Sequence, residues 1–138
     1  MIAIIRIHGM VKISYKIEET LHRLRIRRKY ACVVLKPTKE EEGMIKKIRD
    51  FVAFGEIKKE TFEKLVEKRG KLIDKTKKLD SKKIVEEILN GKTYEEVNLK
   101  PFFRLHPPRK GIKSKIHFPK GVLGDNGEKI NDLIERML

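Results

Sequence analysis

The chain has 138 residues, of which 34 are Lys or Arg and 20 are Asp or Glu, so its formal net charge is +14. This length fits one domain with a hydrophobic core, and a positive field of this size favours a polyanionic partner. The absence of an apolar run of about eighteen residues argues against a membrane span, and a single cysteine, Cys32, excludes a disulfide framework. We expect Cys32 to be buried as a small hydrophobe in a cytoplasmic protein.

Short β-branched apolar segments alternate with helical patterns in the first part of the chain. The predicted strands are residues 2–7, 30–35 and 51–57, and the predicted helices between them are residues 14–26 and 39–50. Ser14 can cap the first helix, and Thr38 with Glu41 forms a capping box before the second. The residues expected to face the sheet are Ile17, Leu21, Leu24, Ile45 and Ile48. Residues 1–57 therefore predict a β-α-β-α-β core of α/β (α+β) class, a three-stranded sheet with helices on one face.

Residues 58–138 predict a helical extension. Apolar residues at helical spacing lie in 62–69, 81–89 and 130–137, and Thr93 with Glu96 predicts a short helix around Val97. Residues 100–121 show no such period and contain four prolines, which predicts an extended basic arm. We expect this extension to pack on the core as one unit.

The positive charge lies in two separate segments. Residues 1–37 have a net charge of +7, and residues 100–121 have a net charge of +7 with no acidic side chain. Residues 38–99 are densely charged but have a net charge of only +2, as a solvated helical surface does. Such concentration predicts a polyanion-binding surface built from the two basic segments.

The first basic segment includes the first predicted helix and the residues directly after it. An arginine guanidinium can engage two phosphate oxygens at once, and several along one edge can follow a nucleic-acid backbone. Alternating Leu and Arg also fit an ordinary amphipathic helix, but Arg28 and Lys29 fall beyond the apolar period and favour nucleic acid. The candidate RNA-binding residues here are Lys12, Lys16, Arg23, Arg25, Arg27, Arg28 and Lys29.

The second basic segment interleaves cations with aromatic rings and prolines. Such an arm can neutralise phosphates while a ring stacks on a base, although a flexible loop without a partner has the same composition. The candidate RNA-binding residues here are Arg104, His106, Arg109, Lys110, Lys113, Lys115 and Lys120. We expect Phe102 or Phe103 to anchor the arm in the core. Residues 107–115 are expected to be mobile until RNA binds, unless Ile112, Ile116 and Phe118 pair as a strand.

No pattern of catalytic residues stands out. The four histidines have no close histidine or cysteine partner, so a metal site is not expected. Phosphate-binding loops, dinucleotide fingerprints and nucleophile elbows are absent from the sequence. We therefore expect no enzyme activity, no cofactor and no small-molecule substrate.

Several pieces of the sequence, in their order and spacing, match a known family. They are Ile4-Ile5-Arg6-Ile7-His8-Gly9, Leu21 to Arg28, Gly43-Met44-Ile45 with Lys46-Lys47-Ile48, Val52 to Ile57, Lys68-Arg69-Gly70, and Gly124-Asp125-Asn126-Gly127 with Ile130, Asn131, Leu133, Ile134, Arg136 and Met137. Together they resemble the L thirty family of large-subunit ribosomal proteins, in its archaeal and eukaryotic form (called L seven in eukaryotes). The resemblance spans essentially the whole chain, although the long basic N-terminal tail of the eukaryotic form is missing here.

The resemblance implies an α/β core, ribosomal RNA as the ligand, neighbouring ribosomal proteins as partners and an archaeal source. It also implies that the residues after about 58 are an extension that the short bacterial form lacks. The leading hypothesis is a structural constituent of the large ribosomal subunit that binds ribosomal RNA through phosphate contacts. The alternatives are a free-standing RNA chaperone or regulator, and a nucleic-acid-modifying enzyme with a divergent site.

Overall fold

The computed structural model describes residues 1–7, 9, 13–36, 38–74, 76, 78, 80–109, 111 and 121–138. The first part of the chain forms β1 (Ile2–Arg6), α1 (Tyr15–Arg23), β2 (Ala31–Leu35), α2 (Lys39–Ile48) and β3 (Val52–Glu56). The second part forms α3 (Lys59–Arg69), α4 (Ser81–Leu89), β4 (Phe103–Arg104), β5 (Gly124–Asp125) and, after a 3-10 turn at Gly127–Lys129, α5 (Ile130–Met137). The three predicted core strands and the two helices between them are confirmed.

The sheet has five strands in the order β4-β2-β1-β3-β5, so the prediction of three strands was wrong. β1 is central and antiparallel to both β2 and β3. β2, α2 and β3 therefore form a split β-α-β unit with β1 inserted between its strands. The extension adds β4 antiparallel to β2 and β5 parallel to β3. Each added strand is only two residues long, too short to produce an alternating pattern in the sequence.

Apolar clusters cover both faces of the sheet. On one face, Ile4 packs with residues of α1 and α2, including the predicted Leu21, Leu24, Ile45 and Ile48. Ile17 is partly buried against the same cluster, which we call the Ile4 cluster. The opposite face holds β-strand residues together with residues of α3, α4 and α5. Since successive strand residues alternate between faces, this double burial explains why β2 is apolar throughout and β1 is apolar except for Arg6.

The predicted capping hydrogen bonds of the helices are present, but one of the predicted helices does not form. Ser14 accepts a hydrogen bond from the Ile17 amide, and Thr38 and Glu41 form the capping box. The Glu96 amide donates to the Thr93 hydroxyl at 3.3 Å, but residues 94–98 form turns, so the prediction of a helix around Val97 was wrong. A capping pair alone does not make a helix where Pro101 follows so soon, because a helix this short is unstable.

The extension contacts β3 through close backbone approaches. A Cβ atom at Gly55 would lie 2.2 Å from the Gly127 carbonyl oxygen, so only glycine fits there. The buried Asn131 donates to the Glu56 carbonyl at 3.1 Å, and its own oxygen accepts from the Lys58 amide at 2.8 Å. Gly127 and Asn131 belong to the C-terminal pieces that carried the resemblance, and these contacts give them a structural role. Within the described part of the chain, every helix is too short or too polar to span a bilayer.

Candidate nucleic-acid interface

The C-terminus of α1 has a geometry that normally requires glycine. The Arg25 amide donates to the His22 carbonyl at 3.0 Å, and the Ile26 amide donates to the Leu21 carbonyl at 3.1 Å. This pair of bonds is the Schellman motif, in which the first residue after the cap is left-handed. That residue is Arg25, with φ of 66°. Strain of this kind concentrates at binding sites, so the position favours a function for the exposed Arg25 side chain.

A buried arginine holds the loop that follows α1. The Arg6 guanidinium donates to the carbonyl oxygens of Arg27 at 2.7 Å, Ile26 at 3.1 Å and Gly9 at 3.3 Å. Its side chain is fully buried, and this burial lowers the pKa of Arg6 from its ordinary value, although an arginine remains protonated. Arg6 thereby holds the backbone of the loop from inside, and the side chains of Arg27 and Arg28 in the same loop are exposed.

Tyr30 connects this loop to the second basic segment. Its backbone is left-handed, with φ of 66°, its amide donates to the Arg6 carbonyl at 2.6 Å, and its carbonyl accepts from the Leu105 amide at 3.1 Å. The antiparallel pairing of β2 with β4 then sets Ala31 opposite Arg104. Two segments about seventy residues apart in the sequence are thereby brought side by side.

The two segments enclose a cleft with a volume of about 410 Å³. We call it the arginine cleft, and the residues that line it are Arg25, Arg27, Arg28, Ala31, Pro101, Phe102 and Arg104. Its described lining contains four guanidinium groups and no carboxylate. The Arg104 guanidinium carbon lies 5.8 Å from the centroid of the Phe102 ring, within the range of a cation–π contact. Clustered guanidinium groups of this kind can bind several phosphate oxygens together.

Comparisons with known proteins identify the family of this chain. The sequence profile described as "Ribosomal protein L30p/L7e" matches residues 2–52. The large ribosomal subunit protein uL30 of Archaeoglobus fulgidus is 42% identical, with 99% of both chains covered. The uL30 of Nanoarchaeum equitans is 41% identical, with 99% of this chain and 97% of the relative covered, and that of Methanococcus maripaludis is 35% identical, with 99% and 98% covered. The chain belongs to the L30p/L7e family.

The family assignment confirms the resemblance found in the sequence. The profile match includes Arg25, Arg27, Arg28 and Ala31, which form one wall of the arginine cleft. The other wall, at Pro101–Arg104, lies beyond the profile match but within the length shared with the archaeal uL30 proteins.

Among the described residues, the other predicted binding residues are exposed or make contacts within the protein. Lys16 and Lys29 are exposed, and Lys29 lies 5.1 Å from the centroid of the Tyr30 ring. Arg23 is exposed and paired with Glu19 at 2.8 Å, a surface contact that contributes little stability. His106 contacts the main-chain oxygens of Pro107 and Leu138, so its ring is engaged with the end of the chain.

The described residues also include Arg109, another of the predicted binding residues. Its side chain is exposed, while its amide donates to the Arg136 carbonyl at 3.0 Å near the end of α5. Five predicted binding residues lie outside the described residues, namely Lys12, Lys110, Lys113, Lys115 and Lys120. The strand alternative for Ile112, Ile116 and Phe118, and most of the segment 107–115 expected to be mobile, also lie outside them.

Reactive side chains in the described part of the chain are buried or dispersed. Cys32 is fully buried, as predicted, and burial raises the pKa of its thiol well above the ordinary value. Burial also raises the pKa of the Tyr94 hydroxyl, which donates to the Val34 carbonyl. The described residues contain no group of three or more His, Cys, Asp or Glu that could hold a metal ion. Phe103 is buried and anchors the second basic segment, as expected for one of the two phenylalanines.

Sequence reasoning missed Arg6. The sequence patterns place Arg6 in a predicted buried strand and in one of the pieces that carry the resemblance, but they do not predict its role as the group that organises the basic loop. The available signal was a single guanidinium within an otherwise apolar strand, since buried charges are paired or hydrogen-bonded.

Proposed function

We propose that this protein is a structural component of the large subunit of the cytoplasmic ribosome and binds ribosomal RNA through phosphate contacts. Arg25, Arg27, Arg28 and Arg104 make the central contacts, and Lys16, Arg23 and Lys29 extend the surface along α1 and its loop. Neighbouring ribosomal proteins are the other partners. The protein has no catalytic role in this proposal.

The convergence of four arginines in one cleft is the observation that carries this proposal. They come from two distant segments that hold the excess positive charge, and the described lining has no carboxylate to neutralise them. Like charges held close together repel one another, so the arrangement is favourable only beside a polyanion. The name of the archaeal relatives, large ribosomal subunit protein uL30, supports ribosomal RNA as that polyanion.

The phosphate contacts are tested by replacing Arg25, Arg27 and Arg28 together with Gln. A matched control replaces three exposed cations of α2 and its C-cap, Lys46, Lys47 and Arg49, also with Gln. Both variants lose three positive charges, so both should lose the same general electrostatic attraction to RNA. Only the arginine-cleft variant also loses the proposed phosphate contacts, so it should weaken binding to RNA of many sequences by more than the control does. If about six phosphates are contacted, log affinity should fall with log salt at a slope of about −5. Equal losses in the two variants would contradict a localised phosphate site.

Sedimentation distinguishes a ribosomal component from a free-standing RNA chaperone or regulator. A ribosomal component should remain with the large subunit after a high-salt wash, because it is held by many contacts within an assembled particle. A regulator that depends on exchangeable phosphate contacts should be released. Complete release at a salt concentration that leaves other large-subunit proteins bound would favour the regulator and refute the structural role.

A further inference from the structure

The arginine cleft has an apolar floor that phosphate binding does not require. Ala31, Pro101 and Phe102 line it together with the four arginines, and Ala31 is buried while Phe102 is half-buried against the Ile4 cluster. Phosphate oxygens gain nothing from a ring or a proline, because they need donors and positive charge. The floor therefore indicates a ligand with an apolar face as well as a negative charge.

Paired RNA does not present such a face. Bases within an A-form helix are stacked and covered, and proteins contact these helices through shape, 2′-hydroxyls and phosphates. An unpaired nucleotide exposes a flat base beside its own phosphate, and single-stranded bases stack on aromatic rings and guanidinium planes. The cleft volume of about 410 Å³ lies within the range of sites that enclose small ligands, roughly 300–1,000 Å³.

We propose that the arginine cleft takes one unpaired RNA nucleotide, with its base stacked on the Phe102–Arg104 pair and its phosphates bound by Arg25, Arg27 and Arg28. The proposal rests on the proposed function, since it specifies what part of the RNA enters that same surface. It adds a base-directed contact to a surface otherwise directed at phosphates.

The backbone positions the Phe102–Arg104 pair for stacking. Arg104 lies in β4 opposite Ala31, so the register of the sheet fixes where its side chain leaves the backbone. Phe102 packs against the Ile4 cluster, and the Arg104 guanidinium lies 5.8 Å from its ring centroid on the exposed side of the pair. A guanidinium held over a ring offers a second planar surface to a base, which a lysine ammonium cannot do.

The test uses two RNA hairpins with the same stem, one fully paired and one with a single bulged 2-aminopurine nucleotide. Binding is measured at low salt, where the protein's charge of +14 supports association with either RNA. The wild-type protein should bind the bulged hairpin about tenfold more tightly, within the range for stacking of one base. The 2-aminopurine fluorescence should fall on binding because the base becomes stacked.

Conservative substitutions separate stacking from charge and folding. Arg104→Lys keeps the charge but removes the planar group, and Phe102→Leu keeps an apolar side chain against the Ile4 cluster but removes the ring. Both variants should lose most of the preference for the bulge, measured as the ratio of the affinities for the bulged and the paired hairpin. Arg49→Lys, an exposed change on the C-cap of α2, should keep the full preference.

Failure of the nucleotide site and failure of the proposed function would give different results. Equal binding of the two hairpins, unchanged 2-aminopurine fluorescence, or a preference that survives in Arg104→Lys and Phe102→Leu would overturn the nucleotide site and leave the phosphate-directed function standing. Failure of the wild type to bind either hairpin at low salt would refute the proposed function, and the nucleotide site with it. Because the fluorescence of the wild-type complex is itself a readout, the outcome does not depend on the variants folding.

Discussion

Replacing Arg25 with Gly should stabilise the protein while weakening its binding to RNA. Arg25 occupies the left-handed position of the Schellman motif at the end of α1, with φ of 66°. Glycine adopts this conformation at no steric cost, whereas any residue with a Cβ atom is disfavoured there. Arg25→Ala is the matched variant, because it removes the same charge but keeps the Cβ atom.

The expected difference in stability between Arg25→Gly and Arg25→Ala follows from two opposing terms. Relief of the left-handed conformation contributes about 1–2 kcal/mol, and the greater freedom of glycine in the unfolded chain removes about 0.5–1 kcal/mol of that gain. We therefore expect Arg25→Gly to be more stable than Arg25→Ala by about 0.5–1 kcal/mol. Each variant removes one of the proposed phosphate contacts, so the slope of log affinity against log salt should become shallower by about 1 in both.

Urea unfolding measures the stabilities, and titration of RNA at several salt concentrations measures the slopes. Arg49 provides a control of opposite sign, since it is exposed and right-handed, with φ of −55°. Arg49→Gly should be less stable than Arg49→Ala by roughly 0.5–1 kcal/mol. The reasoning is refuted if Gly is no better than Ala at position 25, or if Gly is better than Ala at both positions.

Three further changes test how the site and the extension are held. Arg6→Met should destabilise the protein by about 3 kcal/mol or more in urea unfolding, because it leaves buried carbonyl oxygens of the loop without their donor; a loss below about 1 kcal/mol would show that the loop does not depend on Arg6. Gly55→Ala should destabilise by about 2–4 kcal/mol, since a Cβ atom 2.2 Å from the Gly127 carbonyl oxygen forces the backbone apart, whereas Gly43→Ala, which meets no neighbour in α2, should stabilise slightly. A fragment of residues 1–57 should fail to give a cooperative unfolding transition, because the sheet face that packs against α3, α4 and α5 would be exposed; cooperative unfolding of this fragment would show that the extension is a separate unit.

Local patterns predicted the elements of the first part of the chain but not the arrangement of its strands. The apolar run at residues 2–7 and the capping box at Thr38 are local signals, and each corresponds to an element that forms. The order of strands depends on which edges pair, and no local signal shows that β1 lies between β2 and β3. β4 and β5 were missed for a related reason, since a two-residue strand exists only through its partner.

The candidate site was predicted in composition but not in geometry. Charge counting identified both basic segments, and Arg25 and Arg104 were both named as candidates. Their meeting in one cleft depends on the pairing of Ala31 with Arg104, which joins residues far apart in the sequence. The left-handed conformation of Arg25 could not be predicted from the sequence either, because Gly or Asn is usual at such a position and arginine is not expected there.

Arg6 and Arg25 have the same side chain and opposite roles in the site. Arg6 is buried and donates hydrogen bonds to backbone carbonyls, so it determines where the loop lies, while Arg25 is exposed and is proposed to bind RNA. The Tyr30 amide donates to the Arg6 carbonyl and the Tyr30 carbonyl accepts from the Leu105 amide, so Arg6 is linked through Tyr30 to the second wall of the arginine cleft. A change at Arg25 should therefore remove one contact and leave the others in place. A change at Arg6 should displace both walls and lower RNA affinity by more, although Arg6 is buried and is not among the proposed RNA contacts.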